Sequence, residues 1–430
     1  MWRTEGRKVD FEFVTSTTTV IVGACAAGLT AAMELQSLGQ DFLLLEASHR
    51  IGGRAYTEDL APGMPFDLGA HWVMSPSVNP LTPFVGHDQL LLDEANQHFS
   101  AARYFEDGVW LPEDSDQKLG EYWDKQFEAM ARASKRNVDV SVFDVIDNDD
   151  RWTPYFHMFF AQDFTRDVDQ ASVKDTQAFL RDEEDLPVAG GFGYVVARFG
   201  AEVPVTLNAA VRKIDSSGMR IKLETTKGKI EADNVILTVS SGVLANRGIE
   251  FTPALPDWKL DAVEGLPLGS HTRIALMFDE PVLRELPRHF TVSTSDDGPI
   301  HFRNRPFDYD YLEVVTGGRM SEWMEKSGER AITDFLMAKL REAAGSQSVP
   351  YPVRHIISAW NEDEWTKGAY SCARPGAADQ RPILARTIDD RIFFAGEATS
   401  SNAYASVHGA CFSGRDAARA AVVSAAGDPR

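Results

Sequence analysis

An α/β fold built from two interleaved parts is what this sequence predicts, and three observations predict it. A β-branched run, Thr19-Val20-Ile21-Val22, leads through glycines into a small-residue helix and out into a second apolar run, Phe42-Leu43-Leu44-Leu45. An acidic stretch rich in aromatic residues then occupies the chain from about residue 86 to 186. Strand-like segments resume at Val203 and return at Ile392-Phe393-Phe394-Ala395, just before a Gly/Ala/Ser-rich helix from about Ser406 to Ala425. The pattern divides the chain into a first unit from 17–85, 187–255 and 376–430 and a second from 86–186 and 256–375.

Each element has a physical reason. The first run carries no charge and reads as a central parallel strand buried on both faces. Ala31, Ala32, Leu35 and Leu38 then recur at helical spacing, and Gly39 closes the helix, completing a βαβ unit. Phe13 to Met33 is an uncharged run about long enough to span a bilayer. Thr15 to Thr19, Gly23 and Gly28 break it, so strand, turn and helix is the better reading. Glu5, Asp10 and Glu12 interrupt the segment where a signal peptide would turn apolar, which leaves a cytoplasmic protein with a short N-terminal extension as the expectation. In the acidic stretch, expected to be mostly helical, Tyr122, Phe127, Met130 and Ala131 mark one helix face. Strands are expected near 211–214, 221–225, 235–239, 272–278, 290–293, 311–315 and 354–360, with a helix buried through Ile332, Phe335, Leu336 and Leu340.

Composition narrows the function. A length of 430 residues suggests two or three domains. With 43 Lys+Arg against 64 Asp+Glu, the net charge of −21 repels polyanions, so nucleic acid and anionic membrane are poor partners. Cys25, Cys372 and Cys411 are too few and too scattered for a disulfide framework or a zinc site; no metal is expected, and a reducing compartment is.

The turn after the first strand reads Gly23-Ala24-Cys25-Ala26-Ala27-Gly28, a GxGxxG with Cys25 in place of the second glycine. In that motif the first glycine makes the turn, the second admits a pyrophosphate and the third lets the helix pack on the strand. Cys25 either fills space beside a slightly more distant pyrophosphate or weakens its binding. The helix start still offers N–H groups to phosphate, and Glu46 stands where a ribose hydroxyl would be held. Next, Arg50-Ile51-Gly52-Gly53-Arg54 places arginines on a glycine-bent loop that can reach back to the phosphates.

The segment from Glu46 to Arg54 resembles the FAD signature of the flavin-containing amine oxidase family, and the match continues through Phe66-Asp67-Leu68-Gly69-Ala70-His71-Trp72 and Asn79-Pro80-Leu81. Thr238 to Leu244, Ile249 to Pro253, Leu255 to Lys259, Phe393 to Ser400, Val407-His408-Gly409-Ala410 and Ser413-Gly414 follow in the family's order. Within it, the sequence is most similar to the polyamine oxidase and lysine-specific histone demethylase branch. The resemblance implies a Rossmann-like FAD-binding domain of the two-dinucleotide-binding type with an interleaved α+β substrate-binding domain. It implies non-covalent FAD, because Ala369 stands where monoamine oxidases carry a flavin-linked cysteine.

Residue roles carry over on the same terms. Gly23, Ala27, Gly28, Glu46, Gly53 and Arg54 would hold the adenosine and pyrophosphate, and Val211 the adenine. Glu397 would meet the ribityl region, with Ala70, Trp72 and Val407 at the flavin itself. Tyr370 matches one wall of an aromatic cage, Ser406 stands at the opposite wall, and Tyr404 either completes the cage or packs at the flavin edge. His71 either exchanges protons in the cavity or is an ordinary packed histidine. Arg273 replaces the lysine that holds a water near the reactive flavin nitrogen; arginine stays cationic and cannot titrate, unless it simply points outward from its strand. Asp163, Asp167 and Asp169 either meet a cationic substrate tail or form a solvated face, and the charge of the acidic stretch either draws cationic amines or only confers solubility. The implied activity is oxidation of a small-molecule amine by hydride transfer to FAD, with molecular oxygen reduced to peroxide. A dehydrogenase or desaturase of another substrate, and a binding protein poor in FAD, are the alternatives.

Overall fold

The computed structural model describes residues 7–8, 15–85, 102–179, 185–279, 284–294, 297–345 and 349–427. Most of the expected N-terminal extension, the start of the acidic stretch at 86–101, and Asp182, Glu183 and Glu184 lie outside the described residues. The rest is organised around two seven-stranded sheets.

In the first sheet, Ser16–Val22 lies parallel between Phe42–Leu45 and Gly228–Leu237. Gly228–Leu237 serves two neighbours along one edge, pairing antiparallel with Ile221–Thr225 through its first half and parallel with Ile392–Phe394 through its second. Val20-Ile21-Val22, Leu43-Leu44-Leu45, Val235-Ile236-Leu237 and Ile392–Phe394 read as unbroken apolar runs because both faces are covered there. Ile21, Leu44, Ile236 and Phe393 pack with helices Ala26–Ser37 and Val407–Gly427. Val20, Leu43, Val235 and Phe394 pack on the other side with Leu223, Leu244 and Ala262.

All four parallel strands end at one edge, which gathers Gly23, Glu46, Thr238 and Gly396-Glu397 where ligands bind in open α/β sheets. The approach of helix to strand there is tight. A Cβ on Gly28 would stand 1.8 Å from the Gly23 carbonyl oxygen, and Gly23 itself has φ +104°.

The second sheet runs in the order Arg354–Ile357, His271–Met277, Tyr311–Gly317, Gly298–Asn304, His289–Thr294, Arg103–Glu106, Val109–Trp110. Two features depart from expectation. Arg103–Glu106, from the stretch expected to be mostly helical, pairs parallel with Phe290 to Ser293. Gly298–Asn304 and the hairpin Thr57–Ala61 with Met64–Asp67 were not foreseen as strands, because their polar and proline residues obscure the pattern. Helix Ser115–Ser134 does bury Tyr122 and Met130, but with Gln126 and Ala133 rather than Phe127 and Ala131, which are half-buried.

One face of the second sheet is apolar: Ile274, Leu276, Phe290, Val292, Phe302, Leu312 and Val314 pack against Met324, Ile332, Leu336 and Leu340 of helices Gly318–Ser327 and Glu329–Ala343. The alternate positions, His271, Arg273, His289, His301, Arg303 and Glu313, are polar and, except for half-buried His271, buried. They face the strand ends of the first sheet across a shared cavity.

A buried ion pair joins two short helices beside that cavity, Val173–Ala178 and Gln380–Ala385. Arg381 donates to both oxygens of Asp175 at 2.6 and 2.7 Å, and both side chains are 1 % exposed. Removing one partner leaves the other charged and desolvated. Arg381→Met is expected to lower unfolding free energy by about 3–5 kcal/mol in urea titration, against near-neutrality for exposed Arg132→Met.

Candidate active site

The cavity has a volume of about 570 Å³. On its first-sheet side, Glu46 clamps the glycine turn, accepting from the Ala24 N–H at 2.7 Å and the Ser48 N–H at 2.8 Å. No side chain caps the N-terminus of helix Ala26–Ser37, so the first-turn N–H groups are available to an anion. Cys25 turns its thiol to the Thr238 carbonyl at 3.4 Å, and a Cβ on Gly53 would lie 2.9 Å from the Cys25 Cβ. The thiol is therefore directed to a neighbouring strand, and the arginine loop packs on the turn. Arg54 donates to the Ala369 carbonyl and to Glu397. Glu397 also accepts from the Ser371 N–H and hydroxyl and the Ala405 N–H. Burial alone would raise its pKa, but Arg54 and these donors hold it below the usual value. Cys25, Gly52, Arg54, Ala70, Trp72, Glu397 and Val407 line the cavity. Gly23, Ala27, Gly28, Glu46 and Gly53 stand behind that wall, and Val211 is buried at the start of strand Val211–Asp215. A close backbone approach, an uncapped helix start and a flanking arginine fit the pyrophosphate of a dinucleotide.

The second-sheet side carries the polar face. His71 Nδ1 lies 2.8 Å from Asp67 Oδ2, and Asp67 also accepts from Thr57 and from the Phe192 and Gly193 N–H groups. With Nδ1 engaged by the Asp67 carboxyl group, Nε2 is the ring nitrogen left over. That nitrogen is buried without a hydrogen-bond partner among the described residues. Burial, then the Arg273 charge, lowers the His71 pKa despite Asp67, so the imidazole is neutral at neutral pH. Arg273 and Arg303 donate to opposite oxygens of Glu313. Burial opposes the ionised carboxylate, yet the two guanidiniums bring its pKa to about 2. Burial and the same arginines lower His271 to about 3 and His289 to about 4, and burial with His289 lowers His301 well below its usual value.

Comparison with known proteins decides what this arrangement belongs to. The model of the family "Flavin containing amine oxidoreductase" matches residues 26–422. The chain belongs to that family. Polyamine oxidase 3 of Oryza sativa subsp. japonica is 28 % identical, over 93 % of this chain and 88 % of the relative. Polyamine oxidase 2 of Arabidopsis thaliana is 26 % identical, over 94 % and 87 %. Lysine-specific histone demethylase 1 homolog 3 of Oryza sativa subsp. indica is 29 % identical over 93 % of this chain but only 53 % of its own length. Among solved structures, putrescine oxidase bound to putrescine superposes with a TM-score of 0.74 at 20 % identity, covering 95 % of this chain and all of that one. As a flavin-containing amine oxidoreductase the chain is an FAD-dependent enzyme that oxidises amines.

The remaining expected residues of this amine oxidoreductase fall as follows. Tyr370 lines the cavity, its hydroxyl donating toward the Gln162 and Asp163 carbonyls at 3.0 and 3.2 Å, its ring 5.7 Å from that of His271. Ser406 also lines the cavity, but its hydroxyl accepts from the Gly409 N–H at 3.0 Å and so caps the last helix. Tyr404 is 1 % exposed, donates to the Asp175 carbonyl and lies 3.5 Å beneath Arg381. Those contacts hold it at the edge of the cavity, which it also lines. Asp167 and Asp169 pair with Arg319 outside the cavity, and only exposed Asp163 reaches the wall. Arg273 is inward and buried, contrary to the outward alternative. Sequence reasoning missed Arg303, Glu313, His289 and His301. Their signal was polar residues alternating with apolar ones on consecutive strands with both faces buried. Glu46→Ala removes the acceptor of two amides, costing about 1–3 kcal/mol for each one left buried and unpaired. Gel filtration should show flavin lost from this variant and kept by wild type.

Proposed function

We propose that the enzyme takes a hydride from the carbon beside the nitrogen of a neutral amine. The resulting imine is hydrolysed by water to a carbonyl compound and a released amine, and molecular oxygen is reduced to hydrogen peroxide. The observation that carries this reading is one cavity lined by Cys25 and Ala26 of the dinucleotide turn on one side and by Tyr370 and the neutral His71 on another. Bound FAD supplies the two-electron acceptor.

The protein supplies position and proton control. The helix N-terminus and Arg54 hold the pyrophosphate, and Ala369 offers no thiol for covalent attachment. Tyr370 and Trp72 give the amine apolar surface. His71, with Nδ1 held by Asp67 and the ring kept neutral by burial, adds no charge beside the amine, so the neutral form is the one that reacts. Arg273 offers only N–H donors there, one of them on Glu313. A cytoplasmic setting completes the reading, supported by three free cysteines. No described helix is long and apolar enough to cross a membrane.

The purified protein should be yellow, release peroxide with a responsive amine under air, and have its flavin bleached by that amine without air. Its kcat/KM should rise about tenfold per pH unit below the amine's pKa and level off above it; a flat profile with a good substrate would contradict hydride loss from the neutral amine. Arg273→Lys should alter flavin reduction or reoxidation in stopped flow, and no change in either would remove Arg273 from the reacting centre.

A further inference from the structure

We infer that Arg381, seated on Asp175 behind the cavity wall, is a positioning residue for the flavin cofactor: through the Ser371 hydroxyl it holds the Glu397 carboxylate toward the cavity. Every N–H of its guanidinium is engaged. Nε and Nη2 donate to the two oxygens of Asp175 at 2.6 and 2.7 Å, and Nη1 donates to Ser371 Oγ at 2.8 Å. Longer bonds run from Nη1 to the Ala398 carbonyl and from Nη2 to the Ser371 carbonyl, at 3.3 and 3.4 Å. Because the Ser371 hydroxyl accepts from Arg381, its one proton is directed at Glu397 Oε2, 2.6 Å away. The Ser371 N–H binds the other Glu397 oxygen at 3.1 Å. Asp175 in turn accepts from the Ala373 N–H at 2.9 Å, so the ion pair also grips the segment that follows Tyr370 of the cavity wall.

The two arginines that serve Glu397 are not equivalent. Arg54 lines the cavity with its side chain 25 % exposed, and its N–H groups are open to a pyrophosphate. A bond it gives to phosphate is one it withdraws from Glu397. Arg381 has no such alternative, because its side chain is 1 % exposed and its guanidinium lies against the Tyr404 ring at 3.5 Å. It is therefore the counter-charge that stays with Glu397 whatever Arg54 binds. The other titratable groups here are Asp175, paired with Arg381, and Cys372, whose buried thiol is pushed up to about 12 and stays neutral. Burial opposes the ionised Glu397, while Arg54, the Ser371 hydroxyl and Arg381 hold its pKa below the usual value. Cutting the relay lets Glu397 take up a proton as pH falls, and a protonated acid has less acceptor capacity for the hydroxyls of the cofactor.

Dilution of the flavin-loaded enzyme, with FAD release followed by its fluorescence, tests this at about pH 8 and about pH 5.5. Wild type should hold FAD equally well at both. Ser371→Ala, which cuts the relay and leaves the ion pair in place, should weaken FAD about tenfold at the higher pH and further at the lower, and Ser371→Thr should restore most of both. The paired variant Asp175→Asn with Arg381→Gln removes both buried charges together and should show the same extra loss in acid. Adding Ser371→Ala to it should weaken FAD by clearly less than the product of the separate effects, because both changes act on one relay. Urea titration of each variant separates folding from binding, and Ser371→Ala with Ser371→Thr carries the test if the paired variant does not fold. FAD held by Ser371→Ala as tightly as by wild type at both pH values overturns the inference. So does a loss that is the same at both pH values and multiplies with that of the paired variant. Either result leaves the amine-oxidation reading standing.

Discussion

A helix can begin within touching distance of the strand that precedes it only where no side-chain carbon stands between them. At Gly28 that condition is absolute, because the Gly23 carbonyl oxygen occupies the place a Cβ would take. The seating of helix Ala26–Ser37 on the sheet sets where the Glu46 carboxylate finds the Ala24 amide and where the arginine loop packs on Cys25. Thr238 joins the same knot, donating from its hydroxyl to the Gly23 carbonyl at 2.8 Å. Three strands are thus registered on one turn before any ligand arrives.

That half of the molecule was legible in the sequence because its constraints are local or strictly apolar. Val20-Ile21-Val22, Leu43-Leu44-Leu45 and Ile392–Phe394 are buried on both faces and carry no polar side chain. Glycine punctuation and the position of Glu46 then marked the turn. Ser406 and Tyr404 were recognised as wall positions, but their commitments to a helix cap and to Asp175 depend on partners distant in the chain or on where a helix starts.

The second sheet was harder to read for a definite reason. Sheets with one solvated face alternate apolar and polar residues, so Arg273, Arg303 and Glu313 look like a water-facing side. Here the polar side is covered by the first sheet's strand ends and by helix Thr153–Phe164, whose Gln162 donates to the Val315 carbonyl at 2.8 Å. Alternation states which residues share a face; it does not state what the face meets. Gly298–Asn304, with His301, Arg303 and Asn304, was consequently not foreseen as a strand.

The order in which the chain is made gives the Ser406 cap another meaning. Strand Ile392–Phe394, Glu397 and the capped helix Val407–Gly427 all come from the last part of the sequence, yet they insert against elements near its beginning. During synthesis the cofactor face therefore stays open along one side until the segment from Ile392 to the last helix has left the ribosome, so a cofactor bound earlier would meet only part of its wall.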